Sequence, residues 1–419
     1  MLSTKEIRKN LDAIEKRITE IALKGTDLVP PTDYAVELNT LASKLFDLSN
    51  GLNELRYNKL GQPMIMVNIF CDDKAKLDYL SGYGTYFSTN KGLHPAFIIN
   101  DEPIKGFRLG KYPDVRVDNT NYHVSLFGLE PAHDTGGVTE SYDGLASAND
   151  TINAGTTNTD GDSVHNITMA EYSYLGLRAV SDAFECRGDD YYGTSYMNSS
   201  DRGTPIGKNK NDSGYYYVST GSGPDQWRHD GTPFGVWGMR GPVRMIVHGY
   251  QLNEGELEFI PNNNAAEMTA TELAQTSSEY KGILEDGSFV DAGTALTMKY
   301  DYLSAPGTGI GLPFELTNTL ANQQQNNDTY GSLSQLSSMT VHDGVTVPDY
   351  LRWNLMYPLI SGTPNGYCSM RNAVGMSRVS ARGSYFGNAS NGGWSYSHGL
   401  HSSFSHSSAR LAGRCASIM

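Results

Sequence analysis

The chain has 419 residues and a net charge of −14; that is length for two or three domains, and too acidic a surface for a general pull toward nucleic acid or anionic membranes. Its 45 glycines, and 26 tyrosines against 13 phenylalanines, point to turn-rich β structure with exposed rings rather than a helical bundle. The cysteines Cys71, Cys186, Cys368 and Cys415 are too scattered for a disulfide scaffold or a CxxC zinc site, leaving one pair, such as Cys368 with Cys415, open.

The start, MLSTKEIRKNLDAIEKR, has no apolar signal region, and no run of about 18 apolar residues follows. Synthesis in the cytoplasm without membrane insertion is therefore expected. Ile7, Leu11, Ile14, Ile18 and Ile21 recur by four and three, an a/d helical seam that Ser3 or Thr4 caps and Gly25 ends. After Pro30 and Pro31, a second seam runs Leu38, Leu41, Leu45, Leu48, Leu52 and Leu55. The seams fit an intramolecular hairpin or an oligomeric coiled-coil stalk. Isoleucine at both seam positions favours more than two strands, hence a homotrimer.

Past Gly61 the texture becomes β-rich. Residues 62–92 form a connector opening on the strand PMIMVNIF, and HPAFII and GFRLGKY follow as further strands. Residues 130–163 read as loop. Met169–Phe184 is a helix with Tyr172, Leu175, Leu177 and Val180 on one broad face. The block FGVWGMRGPVRMIVHGYQLNEGELEFIP is the strongest strand signal. Glu256 and Glu258 alternate there with Leu257 and Phe259, as on a half-exposed strand. Residues 263–345 look like an insertion with helical pieces, and YLRWNLMYPLI returns the chain to a compact ending. Many short strands with one clear helix predict an α+β domain over 93–419, preceded by the N-terminal helical segment 1–61.

The C-terminal stretch Gly383–Gly413, GSYFGNASNGGWSYSHGLHSSFSHSSARLAG, holds nine serines and no Lys, Glu, Asp, Gln, Met or Pro. Aromatic rings interleaved with Ser, Asn and Gly are the composition of an antibody paratope: large contact area at low entropy cost beside adaptable hydrogen bonding. In an extended WSYSHGL, Trp394, Tyr396, His398 and Leu400 share one face.

Arg382-Gly383-Ser384, Phe386, Asn388, Gly393 and Leu411 to Ala416, with Met370 to Asn372 upstream, resemble the variable proteins diversified by retroelements. So do the upstream stretches HPAFIINDEPIKGFRLGKYP, TGSGPDQWRHDGTP, GELEFIPNNNAA and GVTVP, which are similar to phage-encoded members. Ser384 and Gly413 depart from that pattern, standing where a second glycine and an aromatic are usual. The resemblance implies a C-type lectin fold related to the formylglycine-generating domain, with a variable region over about 383–413. Adenine-directed randomisation of Asn-type codons cannot yield Lys, Glu, Gln, Met or Trp; the first four are absent, and Trp394 would be fixed.

Carried over by position, the resemblance places Tyr385, Asn388, Ser390, Asn391, Tyr396, His398, His401, Phe404, His406 and Arg410 on an exposed ligand-binding face, with Tyr396 and Phe404 as anchors. It implies a phage tail-fibre receptor-binding protein in the virion, with a host-cell surface receptor and the tail fibre or baseplate as partners. No catalytic residue, cofactor or metal is expected. His398, His401 and His406 lack a nearby carboxylate to complete a ligand set, and NTDGDS (158–163) lacks the later Glu of a calcium loop. GTGIG (307–311) lacks the Lys of a phosphate loop. The alternatives are a bacterial surface-displayed variable protein and a tail-associated glycan depolymerase.

Overall fold

The computed structural model describes residues 2–77, 92–133, 140–206, 217–304, 314–323, 332–335, 339–357, 367–370, 374–389 and 398–419; at 332–335, 367–370 and 398–401 it describes backbone alone. The architecture is mixed helix and sheet. Helices α1 (Thr4–Ala22) and α2 (Ala35–Leu48) form an antiparallel hairpin against β1 (Asn53–Tyr57) and β2 (Pro63–Phe70). Ser3 and Glu6 close a capping box at the start of α1. Strand β2 covers the eight residues of PMIMVNIF, seven of them buried.

The seam of α1 lies inside the chain. Leu11, Ile18 and Ile21 are fully buried against Met64, Met66, Trp227 and Trp237. The face on which a trimeric stalk was expected is therefore spent on the body of the same molecule. The second seam is shorter than expected: α2 ends at Leu48, Leu52 is in a turn and half exposed, and Leu55 belongs to β1. A seam of about three heptads is marginal alone, so tertiary burial decides where it goes. Polar contacts lock the hairpin down. Glu15, buried in α1, accepts hydrogen bonds from Lys111 Nζ at 2.7 Å and Tyr112 OH at 2.5 Å. Arg8 donates to Gly221 O at 2.7 Å and pairs with Asp225.

A five-stranded sheet runs β1–β2–β3–β17–β4, with β3 at Gly106–Gly110, β4 at His165–Asn166 and β17 at Cys415–Ile418. The C-terminal strand is thus interior to the sheet that the N-terminal third begins. Helix α3 (Tyr142–Asn153) occupies part of the stretch expected as loop; Ser141 caps it and Tyr142, Leu145, Ala146 and Ile152 are buried. Helix α4 (Met169–Ser181) starts at a Thr168–Glu171 capping box and is buried on nearly every side, so its apolar face is broader than the pattern implied.

The larger sheet is built on β5 (Arg244–Asn253) and β6 (Glu256–Phe259). The stretch expected as an insertion adds strands to it: Lys281–Ile283, Phe289–Asp291, Lys299–Tyr302 and Phe314–Thr317. The two glutamates expected on a solvated face are buried, Glu256 at 8% and Glu258 at 2% exposure. Glu258 accepts from Gln251 Nε2 at 2.6 Å and Asn253 Nδ2 at 2.9 Å. Glu256 accepts from the Gly293 N–H at 3.0 Å. Burial pushes the Glu258 carboxyl up to about 7. Cys415 is a free, buried thiol, so the disulfide with Cys368 left open by the sequence does not form. Asp162 of NTDGDS is taken up by an ion pair with Arg56 at 2.5 Å. GTGIG lies outside the described residues.

Candidate functional site

On the other side of β5 lies the C-terminal segment. Strand β14 (Ser377–Arg382) pairs antiparallel with β5 and is wholly buried. Gly383 turns the chain at φ +78°, and a Cβ there would sit 2.4 Å from Met239 O, so this approach requires glycine. Arg382 is fully buried with its guanidinium 5.4 Å above the Tyr172 ring. The arginine and glycine singled out in the sequence therefore anchor the segment.

The described parts of the segment, 383–389 and 398–413, are tied into the fold. Strand β15 (His398–Ser402) lies between β13 (Tyr367–Met370), its parallel neighbour, and β14, its antiparallel one. Further on, β16 (Leu411–Ala412) pairs parallel with the start of β5, and Arg414 is buried, donating to Gly110 O at 2.6 Å and Trp237 O at 2.7 Å. Both ends of the segment and its residues 398–402 are held by backbone ladder bonds, which do not depend on side-chain identity.

The expected site residues separate as follows. His406 and Arg410 are exposed and Tyr385 is half-buried. Asn388 is nearly buried and works locally: its Oδ1 accepts the Tyr385 N–H at 2.9 Å. Phe404, expected as an exposed anchor, is only 5% exposed. Its ring packs edge-on to Tyr142 at 4.8 Å in a small core with Ile246, Tyr280 and Leu411. The Asp143 N–H bonds to Phe404 O and draws the residue onto the start of α3. Ser390, Asn391 and Tyr396, and Trp394 with them, lie outside the described residues. His398 and His401 are placed in β15 by backbone alone.

Beside this segment lies a loop that the sequence reading passed over. Asp190 accepts the Tyr196 N–H at 2.7 Å with one carboxylate oxygen and Arg240 Nε at 2.5 Å with the other. Asp189 accepts the Gly193 N–H at 2.6 Å; burial pushes its carboxyl up to about 8. Arg187 pairs with Asp201 at 2.6 Å. These bonds hold a tight loop that projects Tyr191 (48% exposed), Tyr196 (53%) and Met197 (44%). Tyr192 N–H donates to Phe386 O at 2.7 Å and Ala389 N–H to Asp190 O at 2.8 Å, joining loop and C-terminal segment into one surface. The signal was present: DDYYGTSYMNSS has the same Tyr, Ser, Gly and Asn composition.

Tyr385 sits at the join. Phe386 meets its ring edge-on at 5.4 Å, and the Arg410 and Arg244 guanidiniums lie 4.8 Å and 5.1 Å from its centroid. Arg244, from the start of β5, belongs to the scaffold. Burial holds its guanidinium below the usual range, against an opposing effect of Tyr385 and with a smaller lowering from the Arg410 charge. Among the described residues no group of three or more His, Cys, Asp or Glu side chains is placed to hold a metal ion. The arrangement offers aromatic area, guanidinium charge and fixed backbone, the components of a recognition surface. No protein-family model matches this chain, and no curated protein matches it.

Proposed function

We propose that this chain is a phage tail receptor-binding protein that recognises a host-cell surface ligand through its C-terminal face. Its fold would be of the C-type lectin kind, with residues 383–413 diversified by a retroelement. One observation carries the reading: a segment of paratope composition is anchored in the sheet at both ends and at residues 398–402, next to a pinned loop that projects Tyr191, Tyr196 and Met197. A rigid frame with interchangeable side chains is what repeated alteration of one site requires, because each new sequence must still fold. Several copies on one virion would raise avidity by factors on the order of 10²–10⁴ without high single-site affinity. A homotrimer remains part of the proposal, but its contact must use a face other than the buried seam of α1.

The test is deep sequencing of the gene across a propagated phage population. Variation confined to codons 384–411, at adenine positions, supports the reading. A segment as invariant as the rest of the chain removes diversification from it, and failure of the purified protein to block adsorption removes receptor binding.

The depolymerase reading is favoured by a cleft of about 620 Å³ lined by Phe289, Tyr350 and Trp353 with Glu285, Asp286 and Asp349 at its edge. Glu285 is engaged by Asn318 Nδ2 and the Thr346 N–H, while Ser288 holds Asp286 below the usual carboxylate range. Asp286 is therefore not poised to donate a proton, and both Glu285 oxygens are already taken by donors within the protein. Release of reducing ends from host polysaccharide, abolished in Glu285→Gln, would establish that reading.

A further inference from the structure

We propose that the cleft between the turn at 284–288 and the short helix Asp349–Trp353 binds a quaternary ammonium group, of the kind choline carries, on a small molecule. The cleft shares no described residue with the C-terminal face, so the inference does not rest on the receptor-binding reading.

The first ground is the aromatic lining. Phe289, Tyr350 and Trp353 border a cleft of about 620 Å³, a size that suits a small molecule. Their rings are contiguous. Phe289 meets Tyr350 edge-on at 4.9 Å, and Trp353 lies 6.3 Å from Tyr350 at 64°. The Trp353 Nε1 is buried, so the polar edge of that ring is turned away from the opening. Aromatic faces carry negative potential and attract a cation held within about 6 Å.

The second ground is charge. Glu285, Asp286 and Asp349 line the same cleft, and among its described lining residues there is no Lys, Arg or His. Glu285 accepts from Asn318 Nδ2 at 2.7 Å and the Thr346 N–H at 2.8 Å. Asp286 Oδ1 accepts the Ser288 N–H at 2.9 Å and its hydroxyl at 2.6 Å. These donors are neutral, so they position the carboxylates and favour the charged form without cancelling it. The Thr346 bond also ties the turn to the chain that leads into the helix, fixing the two sides of the cleft against each other. Asp349 has Arg352 at 4.0 Å, and that guanidinium lies 4.8 Å from the Tyr357 ring centroid. The net charge of −14 adds an attractive field for any cation.

Hydrogen bonding selects the kind of cation. Both Glu285 oxygens and Asp286 Oδ1 are already engaged, so an N–H cation finds few fresh acceptors in return for its lost hydration. A trimethylammonium group has no N–H to satisfy. Its methyls pack on the rings while the carboxylates draw its charge.

The experiment titrates the full chain with choline by calorimetry. The comparison ligands are dimethylbutanol, which has the shape of choline without the charge, and ethanolamine, which has the charge without the methyls. Choline is expected to bind at least about tenfold more tightly than either. Phe289→Leu keeps apolar bulk but removes the ring, and Glu285→Gln keeps shape but removes the charge. Each should weaken choline binding about fivefold, with circular dichroism and thermal unfolding checking that the fold is kept. Equal binding of dimethylbutanol would make the cleft a plain apolar pocket, and equal or tighter binding of ethanolamine a general cation site; either overturns the inference. Absence of choline binding at millimolar concentration overturns it too, as does choline binding unchanged in both folded variants. The ligand comparison on the unaltered chain decides the question even where a variant fails to fold.

Discussion

Arg240 Nε and Asp190 Oδ2 lie 2.5 Å apart with both side chains buried, and the second oxygen of the same carboxylate holds the Tyr196 N–H. A single ion pair thus joins the strand block before β5 to the loop carrying the exposed tyrosines. Arg240 also reaches Glu185 at 3.3 Å, but that partner is half exposed and screened. The pair is a positioning device: neither residue need touch a ligand to decide where Tyr191 and Tyr196 stand.

Removing the charge from Asp190 leaves Arg240 buried beside a neutral amide. Asp190→Asn is expected to cost about 3 kcal/mol of stability, and to weaken receptor binding through loss of loop order. Urea denaturation gives the first. The second separates from it if Tyr196→Ala weakens binding comparably with no stability loss.

Phe404 and Tyr196 make a paired test of the redrawn face. Truncating the buried ring in Phe404→Ala should destabilise the protein by about 3–5 kcal/mol. Tyr196→Ala, at an exposed ring, should shift stability by less than about 0.5 kcal/mol and cost binding on the order of 2 kcal/mol, the scale of an interface anchor. Thermal unfolding and cell-adsorption assays on the two variants should show opposite patterns; a stable Phe404→Ala would return that residue to the surface.

The burial of the α1 seam predicts how the N-terminal helices respond to charge. Ile18→Asp puts a carboxylate into a fully buried site and should lower the melting temperature of the whole chain, independent of protein concentration. A seam engaged between copies would instead give a melting temperature that rises with concentration. Sedimentation measurements on the same variant report whether assembly changes.

Glu258 sets a pH dependence. Its folded-state carboxyl titrates near 7 because burial disfavours the anion, while in the unfolded chain it titrates near the ordinary 4.5. Between these values the folded state binds more protons, so this group's contribution to stability is full below about 4.5 and is lost as pH rises through 7. The loss is on the order of 3 kcal/mol at most. Glu258→Gln, which keeps the neutral form's shape, should flatten the fall in urea midpoint between pH 5 and pH 8. An unchanged pH profile would show that the carboxyl is ionised throughout.

Local signals were sufficient where one stretch of chain decides its own conformation. PMIMVNIF and RMIVHGYQLN carry enough β-branched and apolar residues to be strands in any context, and both are. The first helix followed from its seam and its Ser3 cap. Composition also marked the C-terminal segment as unlike the rest of the chain, because Ser, Asn, Gly and aromatics in that mixture suit contact better than a core.

What only the tertiary structure decided is which faces meet. An a/d seam is equally satisfied by a sister helix or by the underside of a sheet, and here Met64, Met66, Trp227 and Trp237 cover it. Alternation along GELEF says that two faces differ but not whether later chain will cover the polar one; here both glutamates are buried, with the Gly293 N–H on Glu256 and Gln251, itself reaching Gln275 O, on Glu258. Phe404 was indistinguishable in sequence from an exposed anchor because the cavity that takes its ring is lined by Tyr142, Ile246 and Tyr280, more than a hundred residues away. The loop of Tyr191 and Tyr196 becomes part of the candidate face only through backbone bonds to Phe386 and Ala389. Sequence spacing encodes periodicity within an element, whereas the partner of each face is set by contacts between residues far apart in the chain.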